Sequence, residues 1–420
     1  VIARFFGTSH VVEAFLAAFR LPNVMRSLLG EEAVDSVVVP VISEHRDGGD
    51  FPVLARRLIT AAGILLGITA LAGVLAAPLL SLIVAGGFLV DRPEAFRLTV
   101  DSVRIVFPYI LLVGLSANLA GILYVRNRYS IPAYSPAILN VVLIAGVFVS
   151  SRFSEGRVQM LSAFVLIAGA LQLALHWLAC RRYLAPSESP LNALRDPRLR
   201  SMLRLFVPRL WSVAVYHVNV LVVDTLLASF SFIVGAGAIA AIYYANRFVQ
   251  LPLAVFGLSV TRAMLPDLSY HASRDQAGEC RRIVSFAFKQ TMFFVVPMTV
   301  FFATYPRLFI GLFSGGEFGA YSMGLTVTVL FYYSFGILAY AGARLFVNVC
   351  YAFKDTTTPA RTATVALIVN ICLSLLLMYP LKAGGLALAS SIAAWVNALL
   401  LFGAARRYSG GLERGVLSES

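Results

Sequence analysis

Eleven apolar runs follow one another along this sequence, and no other property restricts the fold so strongly. They cover residues 10–45, 53–86, 98–125, 132–151, 159–180, 206–231, 238–268, 284–313, 320–352, 360–379 and 384–405, and residues 1–6 read as the tail of one more. Each reaches the length of roughly 20 residues that an α-helix needs to cross a hydrocarbon core. In lipid every backbone N–H and C=O must be satisfied within the segment, so such runs form helices. Composition agrees: 59% of the 420 residues are hydrophobic and 13% charged, with mean hydropathy +0.82, whereas soluble domains carry about 25% charged residues. The expectation is an all-α polytopic membrane protein with about twelve transmembrane helices.

The separators are short and rich in turn residues, for example HRDGGD at 45–50, DRPE at 91–94 and FKDTTTP at 353–359. One is long and polar, Arg181–Arg204, with three prolines and a short amphipathic piece. It reads as a surface linker between two halves. The halves repeat. PVISEHR at 40–46 returns as PDLSYHA at 266–272, AFLAAFRLP at 14–22 is matched in position by YANRFVQLP at 244–252, and YVRNRYSIP at 124–132 is echoed by YAFKDTTTP at 351–359. Three matches in one order at nearly one offset predict two six-helix lobes related by a pseudo-two-fold axis along the membrane normal, around a central cavity. The domains expected are an N-terminal lobe at 1–183, a cytoplasmic surface linker at 184–204, a C-terminal lobe at 205–408 and a polar tail at 409–420. Projecting the run at 206–231 back by the repeat places most of the first helix upstream of Val1.

Alternate loops differ in charge. One set, containing 46–57, 126–128, 181–204, 274–282, 354–361 and 406–414, holds nineteen Lys and Arg; the other holds five, Arg92, Arg97, Arg152, Arg157 and Lys382. The first set is expected in the cytoplasm. Ten further cations, including Arg4, Arg20, Arg26 and Arg247, fall inside or at the ends of runs. The stretch Ala14–Arg46 concentrates the conflict, with Arg20, Arg26, Glu31, Glu32 and Asp35 in an apolar frame and Pro22 breaking it near Leu21–Asn23. A charge at the bilayer centre costs roughly 2.5–3.5 kcal/mol. These side chains should therefore face protein, water or a ligand, which makes the segment a cavity wall; an arginine near a helix end can instead snorkel to the interface.

Other classes find little support. The net charge of +13 is dispersed in clusters between apolar runs, which suits anionic headgroups and not nucleic acid. Cys180, Cys280, Cys350 and Cys372 show neither metal-site spacing nor a disulfide framework. A membrane transferase acting on polyprenyl phosphates would need clustered carboxylates or a loop His/Asp pair, and the sequence shows no such catalytic constellation.

AFRLPNVMRSLL followed by EE and VVVPVISEHR, with YYANRF and its following prolines in the second half, resembles the MurJ (MviN) lipid II flippase family of the multidrug/oligosaccharidyl-lipid/polysaccharide exporter superfamily. The resemblance implies an inner-membrane protein that moves lipid II, or a related polyprenyl-diphosphate-linked glycan, to the outer leaflet by alternating access, serving peptidoglycan synthesis. It implies a cationic cavity at Arg4, Arg26 and Arg247, with Glu13, Asn23 and Glu31 beside it. Arginine suits a diphosphate, because its planar fork pairs phosphate oxygens bidentately at any relevant pH. Structural pairing of Arg26 with Glu13 or Glu31 is the competing reading. Glu13 stands where the family has Asp, Ser27 where a second Arg follows, Glu32 where Gly is usual and Asn246 where Asp is common. The family adds two helices beyond the twelve. Cation-coupled drug exporters and O-antigen flippases share the layout; a drug exporter's cavity should be acidic or aromatic.

Asp224 stands alone in VNVLVVDTLLASF. An isolated intramembrane carboxylate is protonated, holds a cation or accepts a structural hydrogen bond. Asn370, Ser374 and Ser390 complete an oxygen-lined site if their helices face it. The expectation is no cofactor and no metal centre, coupling to Na+, H+ or the membrane potential, and a monomer whose partners are its lipid-linked substrate and membrane lipids. His45, His217 and His271 read as satisfied hydrogen-bonding residues.

Overall fold

The computed structural model describes residues 1–28, 34, 38–153, 156–186, 189–199, 202, 214–215, 217–274 and 276–409. These are almost entirely helical, and among them the only extended pairing is one bridge between Gly315 and Phe318. Glu31, Glu32, Asp35 and the tail beyond 409 lie outside the described residues. The chain packs into two units, Val1–Phe5 with His10–His217, and Phe6–Ser9 with Val218–Ser420.

The first unit contains α1 (Ile2–Phe6, whose last residue packs with the second unit), α2 (His10–Met25), α3 (Val39–Ser43), α4 (Phe51–Leu75), α5 (Ala77–Ala85), α6 (Phe88–Asp91), α7 (Pro93–Val106), α8 (Tyr109–Val125), α9 (Ser130–Ser150), α10 (Arg157–Cys180) and α11 (Pro190–Arg195). Helix α4 shows how the apolar runs resolve. Its Leu54, Leu58 and Leu66 are buried, while Ile68, Leu71 and Leu75 stay exposed, the surface a lipid-facing helix presents. A Cβ at Gly73 would overlap the Phe107 ring, so glycine is what lets α4 approach the α7–α8 corner. The polar segment after α10 is docked on this unit over its described residues. Ala185 N–H donates to Pro52 C=O at 3.0 Å, and Leu199 and Met202 join Phe51, Leu54 and Leu123 in one core. The described part of 184–204, expected as a surface linker, packs on this unit through these contacts.

The second unit contains α12 (Ser231–Val234), α13 (Ala238–Pro252), α14 (Leu258–Ala272), α15 (Ala277–Thr304), α16 (Pro306–Ile310), α17 (Ala320–Ala352), α18 (Thr357–Leu381) and α19 (Ala383–Ser409). Small residues let α17 and α19 touch closely: Gly336 meets Ser391, whose Oγ donates to Tyr332 C=O at 2.8 Å, and Trp395 Nε1 donates to Phe335 C=O at 2.8 Å. Residues 6–9 belong here because Tyr244 OH donates to Gly7 C=O at 2.9 Å and the hydroxyls of Thr8 and Ser322 lie 2.9 Å apart. Gly7 has φ +55°, and a Cβ there would strike the Glu317 carbonyl.

Nine helical segments among the described residues are long and apolar enough to cross a membrane, beside a shorter apolar helix at His217–Ser229. They match nine of the eleven runs. The other two, 10–45 and 206–231, are only partly described; the described residues of 10–45 form α2, π-helical backbone at 26–28 and α3. Proline does not break α2 where the sequence expects. The helix continues through Pro22 to Met25, and the widened π backbone starts at Arg26. The same order recurs at the repeat, where α13 ends on Pro252 and a π turn covers Leu253–Gly257. A proline ring crowds the carbonyl four residues back, and a wider turn after it restores the backbone path without ending the helix. The third matched motif also folds alike. Asn127 and Lys354 both take positive φ, 56° and 60°, and the next N–H closes back on Leu123 C=O at 2.8 Å and on Cys350 C=O at 2.9 Å.

Candidate functional site

In the first unit the charged site starts from α2 and the π backbone behind it. Arg26 Nε donates to Asn23 Oδ1 at 3.2 Å, one turn earlier on the same face. The π backbone begins at Arg26, and irregular turns at membrane depth occur where they line a cavity or pack on protein. Arg4 is exposed in α1.

Glu13 has a partner that the sequence reading did not name. It is fully buried, and Arg92 Nη1 donates to its Oε2 at 3.1 Å. Arg92 lies at the start of α7 and was counted with the loop cations. The pair joins α2 to α7, and no property of the linear sequence at Arg92 marks it as an intramolecular partner. Glu31 lies outside the described residues.

In the second unit Arg247 is exposed on α13 and lies over the Tyr243 ring, 4.5 Å from its centroid, with Nη2 donating to the Tyr243 hydroxyl at 2.5 Å. This orients the guanidinium while leaving other N–H groups available to an anion.

The ion-coupling candidates also fall in this unit. Asp224 is buried, sits in the π turn Val222–Leu226 and accepts from Tyr333 OH at 3.4 Å. Asn370 on α18 draws three side chains together: its Nδ2 donates to Asn219 Oδ1 at 2.7 Å and to Ser390 Oγ at 3.2 Å, and Ser374 Oγ donates to its Oδ1 at 3.3 Å. Asn219 was missed. Its spacing of five residues before Asp224 puts both on one face only if the helix is π-wound, which the apolar pattern does not reveal. The Asn370 cluster brings together oxygen atoms of Asn219, Ser374 and Ser390, whereas the Asp224 carboxylate, five residues after Asn219, accepts from Tyr333. Among the described residues no group of three His, Cys, Asp or Glu side chains could hold a metal ion.

Packed helices with broken, charge-bearing elements define an all-α polytopic membrane protein. An inward-closed lipid II flippase MurJ superimposes with TM-score 0.82 at 24% identity, covering 96% of this chain and 83% of that one. An inward-facing multidrug MATE transporter follows at TM-score 0.66 and 14% identity, covering 98% and 96%. Both likenesses are of fold. The chain belongs to the MurJ family, whose model, described as lipid II flippase MurJ, matches residues 2–418. Relatives include the lipid II flippase MurJ of Burkholderia cenocepacia, 30% identical over 411 residues, covering 96% of this chain and 78% of that protein. The probable lipid II flippase MurJ of Rhizobium meliloti is 32% identical over 408 residues, covering 94% and 74%. The protein is accordingly a multi-pass component of the bacterial inner membrane.

Proposed function

We propose that this chain moves lipid II, or a closely related polyprenyl-diphosphate-linked glycan, from the cytoplasmic to the periplasmic leaflet by alternating access. The observation that carries the reading is the family match over residues 2–418. The site chemistry supports it: Arg26 and Arg247 offer planar forks for diphosphate oxygens, each steadied by a neighbour on its own helix, Asn23 and Tyr243. The work is transport and not catalysis, done by a monomer without nucleic acid. The loops bearing nineteen Lys and Arg face the cytoplasm.

An inside-negative potential favours outward movement of an anionic headgroup by about 2.3 kcal/mol per charge per 100 mV. The same field returns an empty cationic site, so the potential can drive the cycle and a cation at Asp224, with Asn370, Ser374 and Ser390 nearby in function, would tune it. The test of the main reading is genetic. The gene should restore growth to a bacterium depleted of its essential lipid II flippase; a membrane-inserted, well-expressed product that fails to do so contradicts it.

A further inference from the structure

The helices α8, α9 and α10 of the first unit enclose a polar group that the transport reading leaves unused. His176 is 2% exposed, Gln172 5% and Ser116 4%. Gln172 Nε2 donates to Ser135 C=O on α9 at 2.9 Å, and His176 Nδ1 lies 2.8 Å from both Gln172 C=O and Ser116 Oγ on α8.

These contacts fix the ring and amide hydrogens. A carbonyl oxygen only accepts, so a nitrogen 2.8 Å from Gln172 C=O must carry the proton. Buried among apolar helices with no charged partner among the described residues, the ring is neutral, so His176 is the Nδ1–H tautomer and Ser116 Oγ shares that proton as an acceptor. The Gln172 amide is fixed likewise, because turning it would set its oxygen against Ser135 C=O. What remains is His176 Nε2 and Gln172 Oε1, both buried and neither hydrogen-bonded. Both are lone-pair acceptors, so neither can satisfy the other, and a buried acceptor left unpaired is costly. The residues stand one helical turn apart on one face of α10. The occupant that fits is a small neutral donor. A cation lacks an anionic ligand here, since no carboxylate contacts the group and no metal-ligating trio exists among the described residues.

We propose that α8, α9 and α10 build an internal water site, in which water donates to His176 Nε2 and Gln172 Oε1. The water completes a polar seam joining the three helices inside the apolar bundle.

The test is 15N-histidine NMR on the full chain in lipid nanodiscs, with the His176 signal identified by its loss in His176→Phe. The expected spectrum shows protonated Nδ1, unprotonated Nε2 and magnetisation transfer from water to the His176 ring. Gln172→Leu should keep the tautomer and lose the transfer. An Nε2–H tautomer overturns the proposal, as does an Nδ1–H tautomer without transfer from water in the unsubstituted chain. So does a displacement of the Nε2 resonance on titration with sodium or potassium, which would identify the occupant as a cation. The native spectrum decides the matter even if Gln172→Leu does not fold.

Discussion

Arg198 grips Asp196 at both carboxylate oxygens, with Nε donating to Oδ1 at 3.1 Å and Nη2 to Oδ2 at 3.0 Å, while its Nη1 reaches Asp50 at 2.6 Å. Arg57 Nη1 adds a bond to Asp196 Oδ2 at 3.2 Å. Four charges thus pin the segment after α11 to the start of α4, with the Asp196 side chain only 1% exposed. Hydrogen bonds from Arg198 hold the Asp196 carboxyl below its ordinary value against the opposing effect of burial, and they lower Asp50 as well. A carboxyl depressed on folding contributes stability above its unfolded pKa, about 3.9, and loses it as pH falls through the lower folded value.

Asp196→Asn should therefore reduce stability at pH 7 by about 1.5–3 kcal/mol, the worth of hydrogen bonds to charged groups. The difference from the native protein should shrink below about pH 4. Thermal unfolding in detergent at both pH values checks this; an equal gap at both would show that the charge is not what holds the segment.

Removing Arg92 strips a buried carboxylate of a cation, whereas removing Glu13 leaves an arginine side chain that is 26% exposed and within reach of water. Arg92→Ala should accordingly destabilise more than Glu13→Ala, by an amount on the order of 3 kcal/mol. Part of that loss should return in the double variant. Melting curves of the three proteins give the coupling directly.

Arg26→Ala and Arg247→Ala should each abolish complementation at normal protein level, and lysine should restore it only partly, since an ammonium cannot reproduce the bidentate fork. Growth assays with immunoblots decide. Normal growth of both alanine variants would remove these residues from substrate binding.

Asp224→Asn should slow flipping in reconstituted vesicles and remove any dependence of the rate on sodium or pH, while leaving the response to an imposed potential. If the native rate is indifferent to sodium, pH and potential alike, Asp224 is a packing residue bonded to Tyr333.

Topology can be read with single cysteines in a background lacking the native four. Ser314 and Ser273 are exposed at loops of opposite charge class. Ser314→Cys should react with an impermeant thiol reagent in intact cells and Ser273→Cys only after lysis. The reverse pattern would invert the orientation.

The sequence alone determined what depends on composition and on period. Apolar length against bilayer thickness specified helices, and among the described residues nine of the eleven runs return as helices long and apolar enough to cross a membrane. The repeat showed which turns would match, and Asn127 and Lys354 confirm one of them in their backbone angles. The resemblance in AFRLPNVMRSLL pointed to the family, and the match over residues 2–418 agrees. What tertiary structure decided is partnership across long separations. Glu13 finds Arg92 and Asn370 finds Asn219, at separations of 79 and 151 residues. Pro22 also lies within a continuous helix and the irregular turn falls at Arg26. Local pattern constrains each helix through its own backbone hydrogen bonds, whereas a buried charge or amide is satisfied by whichever helix packs against it, and that choice is made only when the bundle closes.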